Sequence, residues 1–179
     1  MKWLRTDLAG VWVLELEPKE DERGFFARGW CASEAAGHGL SPVWVQMNVS
    51  FSKQAGTLRG LHWQAAPWEE AKLVRAARGA IWDVAVDLRE GSPTLHQWHA
   101  EELSAENRRA LYVPEGCAHG FITLEDTTEA HYQVSQSYTP EAERGARWDD
   151  PLLAIAWPRT PVVISAKDAS WPPVSGARP

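Results

Sequence analysis

The sequence is poor in cysteine and has no long apolar run. Only Cys31 and Cys117 occur among its 179 residues, and their separation fits no metal-binding motif. Two thiols favour a reducing cytoplasm over a disulfide framework. No stretch approaches the roughly 18 apolar residues of a membrane helix, and charges flank the very short apolar stretch near Met1, unlike a secretory signal. We therefore expect a cytoplasmic protein with no membrane partner.

The chain also lacks an excess of basic residues. Its 18 Lys and Arg are outnumbered by 24 Asp and Glu, which gives a formal net charge of −6. Nucleic acids and anionic membranes favour a basic surface, so this balance argues against both as partners. A local basic pocket for a small phosphate ligand remains compatible with the charge, since Lys and Arg need not be spread evenly.

The six histidines include no His-x-His pair. Residues 114–119 do read Pro-x-Gly-x-x-His, a recurring element of cupin barrels that places His119 at the mouth of a pocket. A metal site needs about three or four converging ligands, and many metal-binding cupins draw some of them from His-x-His. We therefore expect no metal site, although His62, His119 and either Glu69 or Glu70 remain an open set.

Short runs with the two-residue period of β-strands are abundant. Residues 11–16 and 80–88 alternate, and in the second run Asp83, Ala85 and Asp87 share the face opposite the large apolar side chains. Such a pattern predicts a sheet whose second side lines a pocket. The strand signals on either side of Gly79 predict a tight hairpin there.

Helical signals are few. Residues 31–37 predict a short helix, and Ser104 as N-cap predicts a turn over 104–109. Many short strands with regular turn signals predict an all-β antiparallel sandwich or barrel. No linker or repeat interrupts the chain, so we expect one domain over 1–179, with a frayed tail rich in Pro, Gly and Ser at 171–179.

Residues 59–63 contain the main candidate for acid–base chemistry. His62 can take up a proton near neutral pH, and Arg59 offers a fork for a phosphate, although a lone strand histidine is more often structural. Strict alternation puts the two side chains on opposite faces of a strand. Both can face one pocket only if the strand bulges, for which Gly60 is a suitable place.

Two other stretches carry candidate side chains. Tyr132 and Tyr138 are six residues apart and so share a strand face, which fits either aromatic packing or a phenol that donates a proton. Asp168 follows the last strand signals and could hold a histidine in one tautomer. Taken alone, the tyrosine pair is better explained by aromatic packing, and Asp168 is a weak signal because exposed Lys-Asp pairs are common.

From about Asp21 to Asp168 the chain resembles the dTDP-4-dehydrorhamnose 3,5-epimerase family. Specific stretches are Leu-Arg-Gly-Leu-His-Trp-Gln at 58–64 and Gly-x-x-x-Asp-Val-Ala-Val-Asp at 79–87. The remaining matches, in the same order, are 21–26, 72–75, 102–107, 112–121, 143–145, 147–151 and 167–168. The resemblance implies a jelly-roll cupin without metal or cofactor, usually a homodimer that exchanges N-terminal strands.

The same resemblance implies an isomerase that inverts C3, C5 or both in a nucleotide-linked 4-keto-6-deoxy sugar, for polysaccharide or antibiotic deoxysugar synthesis. It makes His62, paired with Asp168, the base and Tyr132 the acid on the opposite face. A C–H beside a ketone is acidic because its carbanion is an enolate, and Lys72 is suited to stabilise the enolate oxygen. The family's contacts to the nucleotide map onto Arg23, Phe26, Gln46, Asn48, Arg59, His119, Tyr138, Glu143 and Lys167, with Tyr138 stacking on the base.

Three departures from the family pattern bear on the substrate, and one of them is the unusual Trp-rich loop at 65–70 that follows His62-x-Gln. Arg28 replaces an acidic residue that helps to read the base, and a guanidinium only donates hydrogen bonds. Met47 and Val49 replace two polar residues. We hypothesise a divergent branch with a different nucleotide or sugar, which tight dTDP binding would count against. The alternatives are a metal-dependent cupin oxygenase, an epimerase for one carbon only, and a non-catalytic module, which would be expected to have lost a catalytic residue.

Overall fold

The computed structural model describes residues 1–40 and 43–174, most of which lie in strands and turns. The strands are β1 (Lys2–Arg5), β2 (Trp12–Glu15), β3 (Lys19–Asp21), β4 (Gly24–Phe26), β5 (Gln46–Ser52), β6 (Thr57–Gln64), β7 (Lys72–Arg78), β8 (Ala80–Asp87), β9 (Trp98–Ser104), β10 (Ala110–Val113), β11 (Cys117–Thr123), β12 (Thr128–Val134), β13 (Glu143–Gly145) and β14 (Val163–Ile164). The helices are α1 (Ala32–Gly37), α2 (Ala166–Ala169) and a 3₁₀ turn (Pro140–Ala142).

Two sheets built mainly of antiparallel pairs form the molecule. In the first sheet the strand order is β1-β2-β10-β7-β12-β5, and in the second it is β13-β6-β11-β8-β9, with β14 parallel to β6. Strands β3 and β4 form a separate hairpin. Strands distant in sequence are neighbours in both sheets, as in a jelly roll. The predicted all-β jelly-roll class is confirmed.

The core lies between the two sheets. Val74, Leu111 and Ala130 of the first sheet belong to one buried cluster with Ile81 and Phe121 of the second. Apolar burial of this kind is the main stabilising term for such a fold, at about 25 cal/mol per Å². Most of the tryptophans pack outside this core, where they cover the outer faces of both sheets.

Strand β8 alternates as its sequence predicts, but the pocket expected on its second face is wrong, because that face packs into the protein interior. Val84 and Val86 pack into the outer cluster, whereas Ala85 joins the core between the sheets. Asp83 on this inner face is fully buried. Asp87 has a different role, since it accepts hydrogen bonds from the side chains of the loop that follows β8.

The tight hairpin predicted around Gly79 is wrong. Strand β7 pairs with β10 and β12 in the first sheet, whereas β8 pairs with β11 and β9 in the second. Gly79 has φ +67°, and a Cβ there would lie 2.4 Å from Oγ1 of Thr128. Gly79 therefore turns the chain from one sheet to the other. In the sequence, a glycine at such a corner cannot be told from a glycine in a hairpin turn.

The predictions for the other local elements are mixed. The helix expected over 31–37 is confirmed as α1, and Ser104 Oγ accepts a hydrogen bond from the Asn107 N–H in the expected turn. The frayed tail is wrong for 171–174, because Pro172 and Val174 bond to the body of the protein. Residues 175–179 lie outside the described part of the chain. No helix in 1–40 or 43–174 is long and apolar enough to cross a membrane.

Candidate active site

A cavity of about 580 Å³ opens between the two sheets. Its walls are β5, β7 and β12 of the first sheet and β6 and β11 of the second. The apolar core fills the rest of the space between the sheets. The jelly roll thus leaves one end of its interior open to a ligand of the size of a small molecule.

Strand β5 presents its polar side chains to this cavity by simple alternation. Gln46, Asn48 and Ser50 line the cavity, whereas Met47 and Val49 point outward and are 58% and 59% exposed. The two positions at which the chain departs from the family pattern on this strand are therefore on the outer surface. The departures leave the inner face of β5 unchanged.

A β-bulge in β6 brings Arg59 and His62 to the same side. Two residues of β6, Gly60 and Leu61, lie opposite the single residue Gly120 of β11, between pairs that are in register. The extra residue resets the alternation, so that both functional side chains line the cavity. Gly60 is required here because its φ is +112° and a Cβ would lie 2.6 Å from the Gly120 Cα. The predicted bulge is confirmed.

His62 and Asp168 form a hydrogen-bonded pair in the cavity wall. Nε2 of His62 lies 2.6 Å from Oδ1 of Asp168, a residue of α2 whose N–H bonds to Oγ of the capping Ser165. Burial acts to raise the pKa of Asp168, but the His62 hydrogen bond and charge outweigh it, so the pKa lies below its usual range. An ionised carboxylate only accepts, so Nε2 donates, and in the neutral form of the imidazole the free lone pair is on Nδ1.

A second histidine–aspartate pair lies beside the first. His119 is the cross-strand neighbour of His62, and its Nε2 lies 2.8 Å from Oδ1 of Asp83. Complete burial raises the pKa of Asp83, against the opposing influence of His119. The pair fixes the orientation of the His119 ring in the cavity wall, and it explains why a buried acidic residue occurs on β8.

The opposite wall carries Tyr132 on β12 and Lys72 on β7. Lys72 is buried and makes an ion pair with Glu70. Burial raises the pKa of the Tyr132 phenol, and the nearby Glu70 charge adds to the effect, with Arg59 opposing it. The wall therefore combines a phenol that stays protonated with an ammonium group.

The mouth of the cavity is a polar cluster with one exposed aromatic ring. The Tyr138 hydroxyl donates to Oε2 of Glu143 at 2.8 Å, and Nζ of Lys167 lies 2.6 Å from both Glu143 oxygens. The Tyr138 ring is half exposed and can offer a stacking surface to a planar ligand. The exposed Arg59 guanidinium also lines the cavity, and it donates to the Phe51 carbonyl.

Comparisons with known proteins agree with this geometry. The sequence model of the dTDP-4-dehydrorhamnose 3,5-epimerase family matches residues 5–175. The chain is 48% identical to the dTDP-4-dehydrorhamnose 3,5-epimerase of Sinorhizobium fredii, over 96% of this chain and 89% of that protein. The chain belongs to this epimerase family.

Solved structures of the family have the same fold. The dTDP-4-dehydrorhamnose 3,5-epimerase of Elizabethkingia anophelis superposes with a TM-score of 0.94 at 39% identity, over 97% of this chain and 96% of that one. A dTDP-6-deoxy-D-glucose-3,5-epimerase from Legionella pneumophila, solved in complex with dTDP-4-keto-L-rhamnose, superposes at 0.90 with 39% identity, over 97% and 93% of the two chains.

The epimerase cavity contains most of the side chains that the sequence singles out. Those that line it are Gln46, Asn48, Arg59, His62, Lys72, His119, Tyr132, Tyr138, Glu143 and Asp168. Lys167 lies at the rim through its ion pair with Glu143. Three of the predicted residues, all in the described part of the chain, do not line the cavity. Arg23 and Phe26 lie on the exposed β3–β4 hairpin, and Arg28 pairs with Glu34.

Gln64 and Glu70 are among the polar side chains of the epimerase site that were not assigned to it from the sequence. Gln64 lines the cavity and accepts the Thr139 N–H at 2.6 Å, which ties β6 to the mouth. Glu70, considered only as a metal ligand, pairs with Lys72 instead. Within 1–40 and 43–174, no three His, Cys, Asp or Glu side chains converge in a way that could hold a metal ion. A Glu two residues before the Lys that begins a strand was the available signal for this pair.

Proposed function

We propose that this epimerase inverts C3 and C5 of a dTDP-linked 4-keto-6-deoxy sugar by removing a proton on one face and returning one on the other. The observation that carries the proposal is the placement of His62 and Tyr132. His62 lies on β6 of one sheet and Tyr132 on β12 of the other, and both line the same cavity. A sugar ring between the sheets would have a base on one face and an acid on the opposite face.

Proton removal is assigned to Nδ1 of His62. The hydrogen bond from Nε2 to Asp168 leaves Nδ1 as the acceptor, and the Asp168 charge stabilises the imidazolium that forms. The C–H electron pair becomes part of the enolate, whose oxygen takes the negative charge. Lys72, buried in the cavity wall, stabilises that oxygen as charge develops.

Reprotonation is assigned to Tyr132. Its hydroxyl gives a proton to the carbon from the face opposite His62, so that the centre is inverted. His62 then releases its proton to the solvent, and the Tyr132 phenolate takes up a proton from the solvent. The net change is an isomerisation in which the substrate gains and loses one proton at each carbon.

The mouth of the cavity is assigned to the nucleotide. Tyr138 provides the stacking surface for the base, and Glu143 with Lys167 provides acceptors and a donor beside it. Arg59 is placed for the diphosphate, for which a guanidinium fork is well suited. Arg28 is paired with Glu34 away from the cavity of its own chain, so it does not read a base bound there.

We propose a homodimer in which the β3–β4 hairpin of each copy completes the cavity of the other. Strand β5 is at the edge of its sheet, and its outward side chains Met47, Val49 and Phe51 are about half exposed. An unpaired edge with an apolar face is unfavourable in a monomer and is typical of an interface. The hairpin carries Phe26, 74% exposed, and Arg23, and a partner would bring both to a ligand.

We also place the enzyme in the cytoplasm. Cys31 and Cys117 are both free thiols, as expected in a reducing compartment. Fractionation of the producing cells with an antibody to the chain tests this location, and recovery with the periplasmic or membrane fraction would contradict it.

Exchange of substrate protons with heavy water tests the proposed reaction. The enzyme is incubated with dTDP-4-keto-6-deoxyglucose in D2O, and the sugar is analysed by NMR. We expect deuterium at C3 and C5 with inversion, and no label with His62→Asn. Deuterium at one carbon only would show that the enzyme is a monoepimerase. Absence of deuterium from a sugar that binds would contradict the proposal.

A further inference from the structure

Trp171, the second residue after α2, lies against the base of the proposed reaction. Its ring centroid is 6.3 Å from that of His62, with the planes at 71°, and the Lys167 ammonium lies 5.6 Å from the indole centroid. The segment is anchored beyond the ring: the Arg147 N–H donates to the Pro172 carbonyl at 3.1 Å. The indole is therefore held in place by the protein body and does not simply rest on the surface.

The indole occupies the space of a missing side chain. Gly145 of β13 is the cross-strand partner of His62, and directly opposed residues of an antiparallel pair point to the same face. An ideal Cβ on Gly145 would lie 2.2 Å from Cε2 of Trp171. On the other side of His62 the cross-strand neighbour is His119. His62 thus lies between His119 on one strand and the Trp171 ring on the other.

The hydrogen bond to Asp168 alone does not fix the plane of the His62 ring. That single bond at 2.6 Å leaves the imidazole free to swing about it, and the His62 side chain is 35% exposed. The Trp171 indole blocks rotation of the His62 ring toward β13, and it shields that side of the His62–Asp168 pair from water. Nε1 of Trp171 is buried and has no hydrogen-bond partner in the described residues, so the indole acts through its shape.

We propose that Trp171 is a positioning residue that holds the His62 imidazole in the plane required for proton removal. The inference rests on the proposed role of His62 as base. Because the indole acts through shape, an aromatic replacement should preserve the function and a branched aliphatic one should not. Misplacement of a reacting group by about 1 Å can cost up to about a hundredfold in rate.

Trp171→Phe and Trp171→Leu are compared with the native enzyme by deuterium incorporation into the 4-keto sugar. We expect Trp171→Leu to lower kcat at least ~10-fold with KM within about twofold, and Trp171→Phe to retain most of kcat. Trp157→Phe is the matched control, since Trp157 packs in the outer cluster; it should leave kcat unchanged. Equal kcat for Trp171→Leu and the native enzyme, or an effect confined to KM, would overturn the proposal.

A second readout needs no substrate and so separates this inference from the proposed reaction. Carbon-13 relaxation NMR of the His62 ring should show a rigid ring in the native enzyme and in Trp171→Phe, and increased ring motion in Trp171→Leu. Unchanged His62 ring motion in Trp171→Leu would overturn the positioning role, whatever the enzyme catalyses. Failure of the native enzyme to exchange any sugar proton, with the increased ring motion present in Trp171→Leu, would instead count against the proposed function.

Discussion

At the scale of single residues, Glu70 sets the electrostatics of the proposed acid. Its carboxylate pairs with Lys72 and, after burial, is the second cause of the raised pKa of Tyr132. A negative neighbour disfavours the phenolate, so Glu70→Gln should lower the Tyr132 pKa and move the alkaline limb of the kcat profile to lower pH. Glu69→Gln is the matched control, because Glu69 is exposed and should leave the profile unchanged. A limb that stays in place in Glu70→Gln would contradict this role.

At the scale of elements, the bulge in β6 decides which side chains meet. Gly60→Ala would place a Cβ 2.6 Å from the Gly120 Cα and 2.8 Å from the His119 carbonyl oxygen, at φ +112°. We expect a loss of more than ~2 kcal/mol in the free energy of unfolding, together with loss of exchange activity, as the bulge is displaced. Gly91→Ala separates the backbone cost from the clash, since Gly91 has φ +78° with nothing within 4 Å; denaturant unfolding should show about 1 kcal/mol or less for it. Equal losses in the two variants would contradict the steric argument.

The elements also show what the sequence could and could not predict. Alternation correctly predicted the faces of β8, and the conflict between alternation and a shared pocket for Arg59 and His62 predicted the bulge. Gly79 was misassigned because a sharp turn within a sheet and a corner between sheets need the same local residue. Trp171 was assigned to a frayed tail because a Pro-rich composition hides a contact made by a single ring to a strand far away in sequence. Long-range contacts of this kind leave no local pattern.

At the scale of the whole molecule, the proposed homodimer requires each site to combine His62 of one copy with Arg23 of the other. Arg23 is 82% exposed in its side chain and pairs with Asp21 on the hairpin, outside the cavity that contains His62. We predict that Arg23→Ala and His62→Asn are each nearly inactive, but that mixing them after denaturation and refolding restores about a quarter of the native activity. Random reassembly makes half of the dimers hybrids. In each hybrid one of the two sites has both native residues, so a quarter of all sites are intact. No recovery, with hybrids verified by mass, would contradict the exchange of hairpins.

In the proposed mechanism the two sheets of the cavity present a base and an acid to opposite faces of one sugar ring. The most direct test is the Tyr132→Phe enzyme with dTDP-4-keto-6-deoxyglucose in D2O, with label and configuration at C3 and C5 read by NMR. We predict that deuterium still enters while configuration is largely retained, since His62 can return a deuteron only to the face from which it took the proton. Full inversion at the native rate by Tyr132→Phe would contradict the assignment of Tyr132 and with it the two-sided mechanism.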